Sequence, residues 1–138
     1  MASGTKFYPF IEAVYKGKHD FSTHTFKVML SNTAPSQSNS QKSDITEISG
    51  GNGYTAGGAT VTISSVAQSS GTLKIVIDDV VFTASGGSIA TFRYAVVYND
   101  TSTGDLLCFY WDLGSQTVTT GQSFTVDFNA STGAYTAS

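Results

Sequence analysis

Charge is scarce in this sequence: 12% of its 138 residues are Asp, Glu, Lys or Arg, about half the usual share of a globular chain. The seven Lys and Arg are scattered, too few to neutralise a run of phosphates, so nucleic acid is not expected as a partner. A single cysteine, Cys108, rules out an intramolecular disulfide. It lies in the apolar run Leu106-Leu-Cys-Phe-Tyr110 and is expected to pack as a small hydrophobe. No apolar run reaches the length of a membrane span, so no membrane partner is expected. Met1-Ala-Ser-Gly has neither the basic nor the apolar part of a secretory leader, and a reducing cytoplasm is the expected site of synthesis. Proline occurs twice, at Pro9 and Pro35, and histidine twice, at His19 and His24.

What is present points to strands. Serine and threonine make up roughly a quarter of the chain, which suits strands with one solvated face. The length suits one domain, 1–138, able to bury about two-thirds of its unfolded surface without disulfides or metal. Phe26, Val28 and Leu30 alternate within Thr25–Leu30, and Val61 and Ile63 do so within Thr60–Ser64. Further strands are expected over 72–77, 80–84, 88–98, 105–111 and 123–128, with a last short one over 134–136. Clusters of Gly, Ser, Thr and Asn separate them. About eight short strands spaced in this way predict an all-β, jelly-roll-like antiparallel β-sandwich. One short N-terminal helix precedes them. Phe7, Phe10, Ile11, Val14 and Tyr15 recur at helical spacing, Pro9 suits a first turn, and Gly17 is placed to end it. Residues 1–17 thus read as an arm and helix that must dock on the sheet or on a neighbour.

Two stretches break the alternation. Residues 31–43 form a long polar loop rich in Ser, Gln and Asn, and loops of that length tend to be functional or disordered. Asp44-Ile-Thr-Glu47 has capping-box spacing for one helical turn. The run Gly50–Gly58 contains five glycines, but no strand precedes it and no helix follows, so it is no phosphate loop.

Candidate chemistry is thin. His19, Asp20 and His24 match no zinc spacing and read as a solvated turn. No Gly-x-Ser-x-Gly elbow accompanies either histidine. Asp78 and Asp79, adjacent on a strand, would point to opposite faces and read as a strand end. No catalytic residue, metal ligand or cofactor site is expected. Tyr94, Tyr98, Tyr110 and Trp111 remain as core packing, or as an aromatic face for sugar rings or a protein partner.

Taken in order, several segments resemble the small virion structural proteins of tailed bacteriophages, the capsid cement or decoration family. They are Lys16-Gly-Lys-His-Asp20, Thr25-Phe-Lys-Val-Met-Leu-Ser-Asn-Thr-Ala-Pro35, Ser43-Asp-Ile-Thr-Glu-Ile48, Gly53-Tyr-Thr-Ala-Gly-Gly58, Arg93-Tyr-Ala-Val-Val-Tyr98 and Trp111-Asp-Leu-Gly-Ser115. The resemblance spans nearly the whole chain. It implies a jelly-roll domain that bridges major capsid subunits on the outer lattice as a homo-oligomer, dimer or trimer. It also implies synthesis in the bacterial host cytoplasm, residence on the virion surface, and no enzymatic activity. Expected contact residues to capsid or to other copies are Phe7, Tyr8, Phe10, Thr33, Pro35, Ser36 and Gln37. The first seven residues and Ser36–Ser40 are expected to add little to the core. Alternative roles are a tail or head–tail connector protein, or a carbohydrate-binding module of a host-recognition device.

Overall fold

In a computed structural model, which describes residues 3–138, the alternating segments form two layers of antiparallel strands. Met1 and Ala2, the start of the expected arm, lie outside the described residues. The elements are β1 (Thr5–Lys6), α1 (Tyr8–Tyr15), β2 (Phe26–Ser31), β3 (Ala59–Thr60), β4 (Ile63–Ser69), β5 (Thr72–Ile77), β6 (Val80–Thr83), β7 (Phe92–Asn99), β8 (Leu107–Gln116), β9 (Ser123–Val126) and β10 (Tyr135–Ala137). One layer is the sheet β1-β8-β7-β2-β3; the other comprises β10-β5-β4 and the pair β6-β9. The pairings β7·β8, β6·β9 and β5·β10 nest inside one another. The chain is thus a folded-back ribbon within an all-β, antiparallel sandwich.

The main core fills the space between the layers. Phe26, Val28 and Leu30 meet Ala95 and Val97 from their own sheet and Ile75, Ile77, Phe82 and Val126 from the opposite layer. Phe109 sits among other rings, stacked on Tyr135 at 5.4 Å and edge-on to Phe10 at 5.7 Å and Trp111 at 5.6 Å. A second cluster lies on the outer face of the larger sheet and joins Met29, Val96, Tyr98 and Leu107 to Phe7 and Ile45. Strands β2, β7 and β8 are therefore apolar on both faces. Segment 40–58 covers much of the outer one.

The helix forms where its periodicity places it. Its end is a Schellman turn: Lys18 N–H donates to Ala13 O (2.9 Å) and Gly17 N–H to Val14 O (3.1 Å), with Gly17 at φ 73°. Phe10 plugs the helix into the main core.

Several boundaries depart from expectation. The strand expected over Thr60–Ser64 divides, with β3 in one layer and β4 in the other. Val61 is the pivot, buried, with its N–H on Phe26 O at 2.9 Å. The helical turn expected over 44–47 lies instead at Lys42–Asp44, as a single 3-10 turn. Asp44 closes that turn rather than opening it, its carboxylate reaching back to the Gln41 N–H at 3.1 Å. Asp78 and Asp79 do mark a strand end, at the corner between β5 and β6. Asp79 carboxylate accepts the Phe128 N–H there at 3.0 Å, bridging the gap in the ladder.

Glycine is required where β3 closes on β2. Gly58 has φ 84°, and a Cβ on it would drive into the Val28 carbonyl. Gly71, in the β4–β5 hairpin turn, has φ 83° with nothing near its Cβ position. The pair separates backbone strain from collision. Gly71→Ala is expected to cost roughly 1 kcal/mol in urea unfolding, and Gly58→Ala at least about twice that, because the collision adds to the same strain. Equal losses would show that β3 has room to move away.

Candidate interaction surface

The aromatic residues singled out from the sequence divide between interior and surface. Trp111 is buried against Phe109 and Phe128. Tyr98 is buried on the other face of the sheet, and its hydroxyl donates to Gly57 O at 2.6 Å. Tyr94 and Tyr110 stay at the surface, half-buried, on the outer face beyond the reach of the covering segment. Tyr8, the first residue of α1, joins them and is 64% exposed. Tyr110 rests on Phe7 with ring centroids 5.0 Å apart. Burial raises the Tyr110 phenol pKa, and the neighbouring phenols Tyr8 and Tyr94 add to the rise. At the far end Arg93 grips Asp112 with both ends of its fork, at 2.9 and 3.0 Å. Its guanidinium lies 5.7 Å from the Tyr94 ring centre. The pair is about half exposed, so it orients the Tyr94 edge more than it stabilises the fold.

Beside this row runs the polar loop. Tyr8 N–H donates to Gln37 O at 2.7 Å, and the Gln37 amide donates to Lys6 O at 3.0 Å. Ser31 Oγ donates to Thr46 O at 2.6 Å, and Asn39 Oδ1 accepts the Ser36 N–H at 2.9 Å. Side chains of the loop thus bond its own backbone and tie it to the arm. Of the expected contact residues, Tyr8, Thr33 and Ser36 are exposed, and Pro35 and Gln37 half-buried. Phe7 and Phe10 are not at the surface, being 0% and 2% exposed. They anchor the arm and helix to opposite faces of one sheet, the bland side of amphipathic spacing. Within the first seven residues, those described do add to the core, against expectation: Phe7 fills the outer cluster, Gly4 lies against Trp111, and Gly4 N–H donates to Ala134 O at 2.8 Å.

His19 is a correction. It was expected in a solvated turn, yet it is 8% exposed, between Phe10 and Phe26. The turn folds inward because Phe21, two residues on, stacks on Phe26 at 4.3 Å. Asn99 Nδ2 lies 3.1 Å from His19 Nδ1 and 3.0 Å from His24 Nδ1. An amide nitrogen only donates, so the neutral His19 accepts at Nδ1 and carries its proton on Nε2; the same amide also donates to Lys18 O at 3.3 Å, and His24 Nδ1 accepts the Asp20 N–H at 3.2 Å. His19 Nε2 is buried with no partner among the described residues. Burial, then the nearby His24, lowers the His19 pKa to about 4. Cys108 Sγ is 4.0 Å from His19 Nδ1, and complete burial pushes its thiol up. Both partners are therefore held neutral, the opposite of a thiolate–imidazolium nucleophile. Asp20 turns away to accept the Ser22 N–H at 2.9 Å.

A hollow of about 430 Å³ opens between Lys42, Glu47 and Asp105, with Met29 and Ile45 also in its wall. Its carboxylate with the most partners, Glu47, is occupied by the fold, accepting Tyr54 O–H and Gly57 N–H at 2.6 Å each. Among the described residues no three His, Cys, Asp or Glu side chains converge as a metal site. The chain matches no protein-family model, no curated protein and no solved structure. The tyrosine row and the loop beside it are the surface feature with the most chemistry to offer a partner. Tyr8 was legible in the sequence only through its place beside the helix start.

The buried histidine makes stability depend on pH. Unfolded, His19 takes up a proton near its ordinary pKa of 6.5; folded, it does so near 4. The unfolded chain therefore holds the extra proton between those values, and stability falls as pH drops through that window. The loss attributable to His19 is at most about 3 kcal/mol. Melting temperature measured from pH 7 to pH 4 should decline, and His19→Gln should flatten the decline. An unchanged slope in the variant would assign the dependence to other groups.

Proposed function

We propose that this chain is a bacteriophage virion structural protein, a capsid cement or decoration protein whose partners are the major capsid protein and further copies of itself. On this reading it is made in the bacterial host cytoplasm and comes to lie on the capsid surface. The observation that carries the proposal is one continuous face: Tyr8, Tyr110 and Tyr94 run beside a polar loop whose own side chains hold it in shape. Tyrosines give large contact area at low entropic cost, and rigid polar loops add hydrogen bonds without ordering on contact. Low charge suits repeated weak contacts on a lattice, where copy number multiplies affinity. The order of sequence segments supports the same assignment. A tail or connector position would use the same face.

The tyrosine row also favours a second reading, stacking on sugar rings of a host polysaccharide. One experiment separates them. Co-sedimentation with bare capsid shells should show saturable binding that weakens little across a salt series, since few ion pairs are available to screen. Tyr8→Ala should weaken it about tenfold, as for an interface tyrosine, and leave the melting temperature unchanged. Absence of shell binding, together with retention on host polysaccharide, would overturn the cement assignment in favour of the glycan reading.

A further inference from the structure

From the edge of the smaller layer we infer that two copies of this chain pair through β4, antiparallel across a two-fold axis, to make one continuous sheet β10-β5-β4-β4-β5-β10. The inference takes up the self-association part of the proposed function, but it stands on the β4 edge and not on Tyr8, Tyr94 or Tyr110.

Among the described residues β4 is the longest free edge strand. It ends its sheet, and Ser64 to Ser69 are exposed without exception. The other edge strands run to four residues or fewer. Hairpin geometry shows which backbone groups are free. Ser70 and Gly71 both have positive φ, 51° and 83°, the two-residue turn that leaves the flanking pair Ser69↔Thr72 hydrogen-bonded. Bonding then alternates along the ladder, so Ala67 and Ser65 bond β5 while Val66 and Gln68 aim their N–H and C=O outward. Among the described residues no backbone partner meets those groups.

Edges of this kind are ordinarily protected by charge, proline or a bulge. Residues 59–73 contain no charged side chain and no proline. The one irregularity, at Ile63/Ser65, precedes the free stretch. A charged edge repels its own copy; an uncharged one is complementary to itself. That is the argument for a second copy as the occupant.

An apolar groove lies along the same rim. Ile11, Val14 and Tyr15 of α1 face Val66, Leu73 and Ile75 across a cavity of about 190 Å³. Tyr15 is 87% exposed, Val66 41% and Val14 37%. With Ala67 on the two-fold axis, Val66 of one copy exchanges hydrogen bonds with Gln68 of the other. Both α1 helices then lie on one side of the joined sheet, and each Tyr15 approaches the other copy's Val66. Glu12 and Lys16, the nearest charges on the helix, neutralise one another at 2.7 Å.

Sedimentation velocity on the full chain, without shells, tests this. The wild type is expected to show a concentration-dependent monomer–dimer equilibrium. Val66→Lys puts like charges beside one another across the axis. Gln68→Pro removes an outward N–H while keeping the bonds to β5. Each should weaken dimerisation by at least about tenfold, with an unchanged circular dichroism spectrum. Hydrogen exchange on the wild type needs no variant: the Val66 and Gln68 amides should gain protection as concentration rises. A wild type that stays monomeric, a dimer that persists in both variants, or amides whose exchange ignores concentration would each overturn the inference. A dimer that forms but does not bind shells would leave it standing and sink the cement assignment alone.

Discussion

Strands β2, β7 and β8 carry apolar side chains on both faces, and much of the molecule follows from the need to cover the second one. The inner face is closed by the opposite layer, as in any sandwich. On the outer face Met29, Val96, Tyr98 and Leu107 would stand in water were it not for Phe7 and Ile45. The chain from 40 to 58 is held there by polar groups in apolar surroundings. Tyr54 accepts the Leu30 N–H at 3.0 Å and donates to Glu47, Glu47 also takes the Gly57 N–H, and Tyr98 donates to Gly57 O. Both phenols are pushed to high pKa, first by burial, with the Glu47 carboxylate contributing to each. Removing one member would leave buried partners unsatisfied, which costs more than the bond itself contributes.

The covering segment also decides where the surface can be sticky. It reaches Tyr98 but stops short of Tyr94 and Tyr110, leaving those rings partly in solvent beside Tyr8. The polar loop would be a floppy excursion if it were not tied to Lys6 and Tyr8, and that tie places it against the same tyrosines. Fold and candidate surface thus share one cause. The arm that anchors the outer cluster through Phe7 also presents Tyr8, its next residue.

Period-two alternation made the strands and the sandwich class legible, since Phe26, Val28 and Leu30 can share only one face. Helical spacing located α1 within a residue. The strand expected over 60–64 divides because alternation continues across Val61 and Thr62 while the chain changes layers; no local signal marks that step. His19 departs from its expected solvated turn for a related reason. A turn with Lys16, Lys18 and Asp20 looks solvated, and only Phe21 stacking on Phe26 draws the imidazole inward. The spacing of Phe7 and Phe10 says only that an amphipathic helix must cover something; that each meets a different face of the same sheet is beyond any spacing rule. Of the tyrosines, sequence supplied the candidates, and long-range covering sorted them into core and surface.

Gly4 bonds Ala134, and Ser3 Oγ donates to Gly133 O at 3.2 Å, so the arm is fastened to residues more than a hundred positions later. The β5·β10 and β6·β9 pairings likewise wait on the returning half of the ribbon. On a ribosome, Phe7, Phe26 and Met29 would emerge well before β8 and β10 exist to shelter them. Contacts so distant along the chain close slowly, after their loop entropy has been overcome. Until residue 134 is in place the apolar faces of these strands lack part of their cover, and exposed apolar surface of that kind is what makes unfinished chains prone to aggregate.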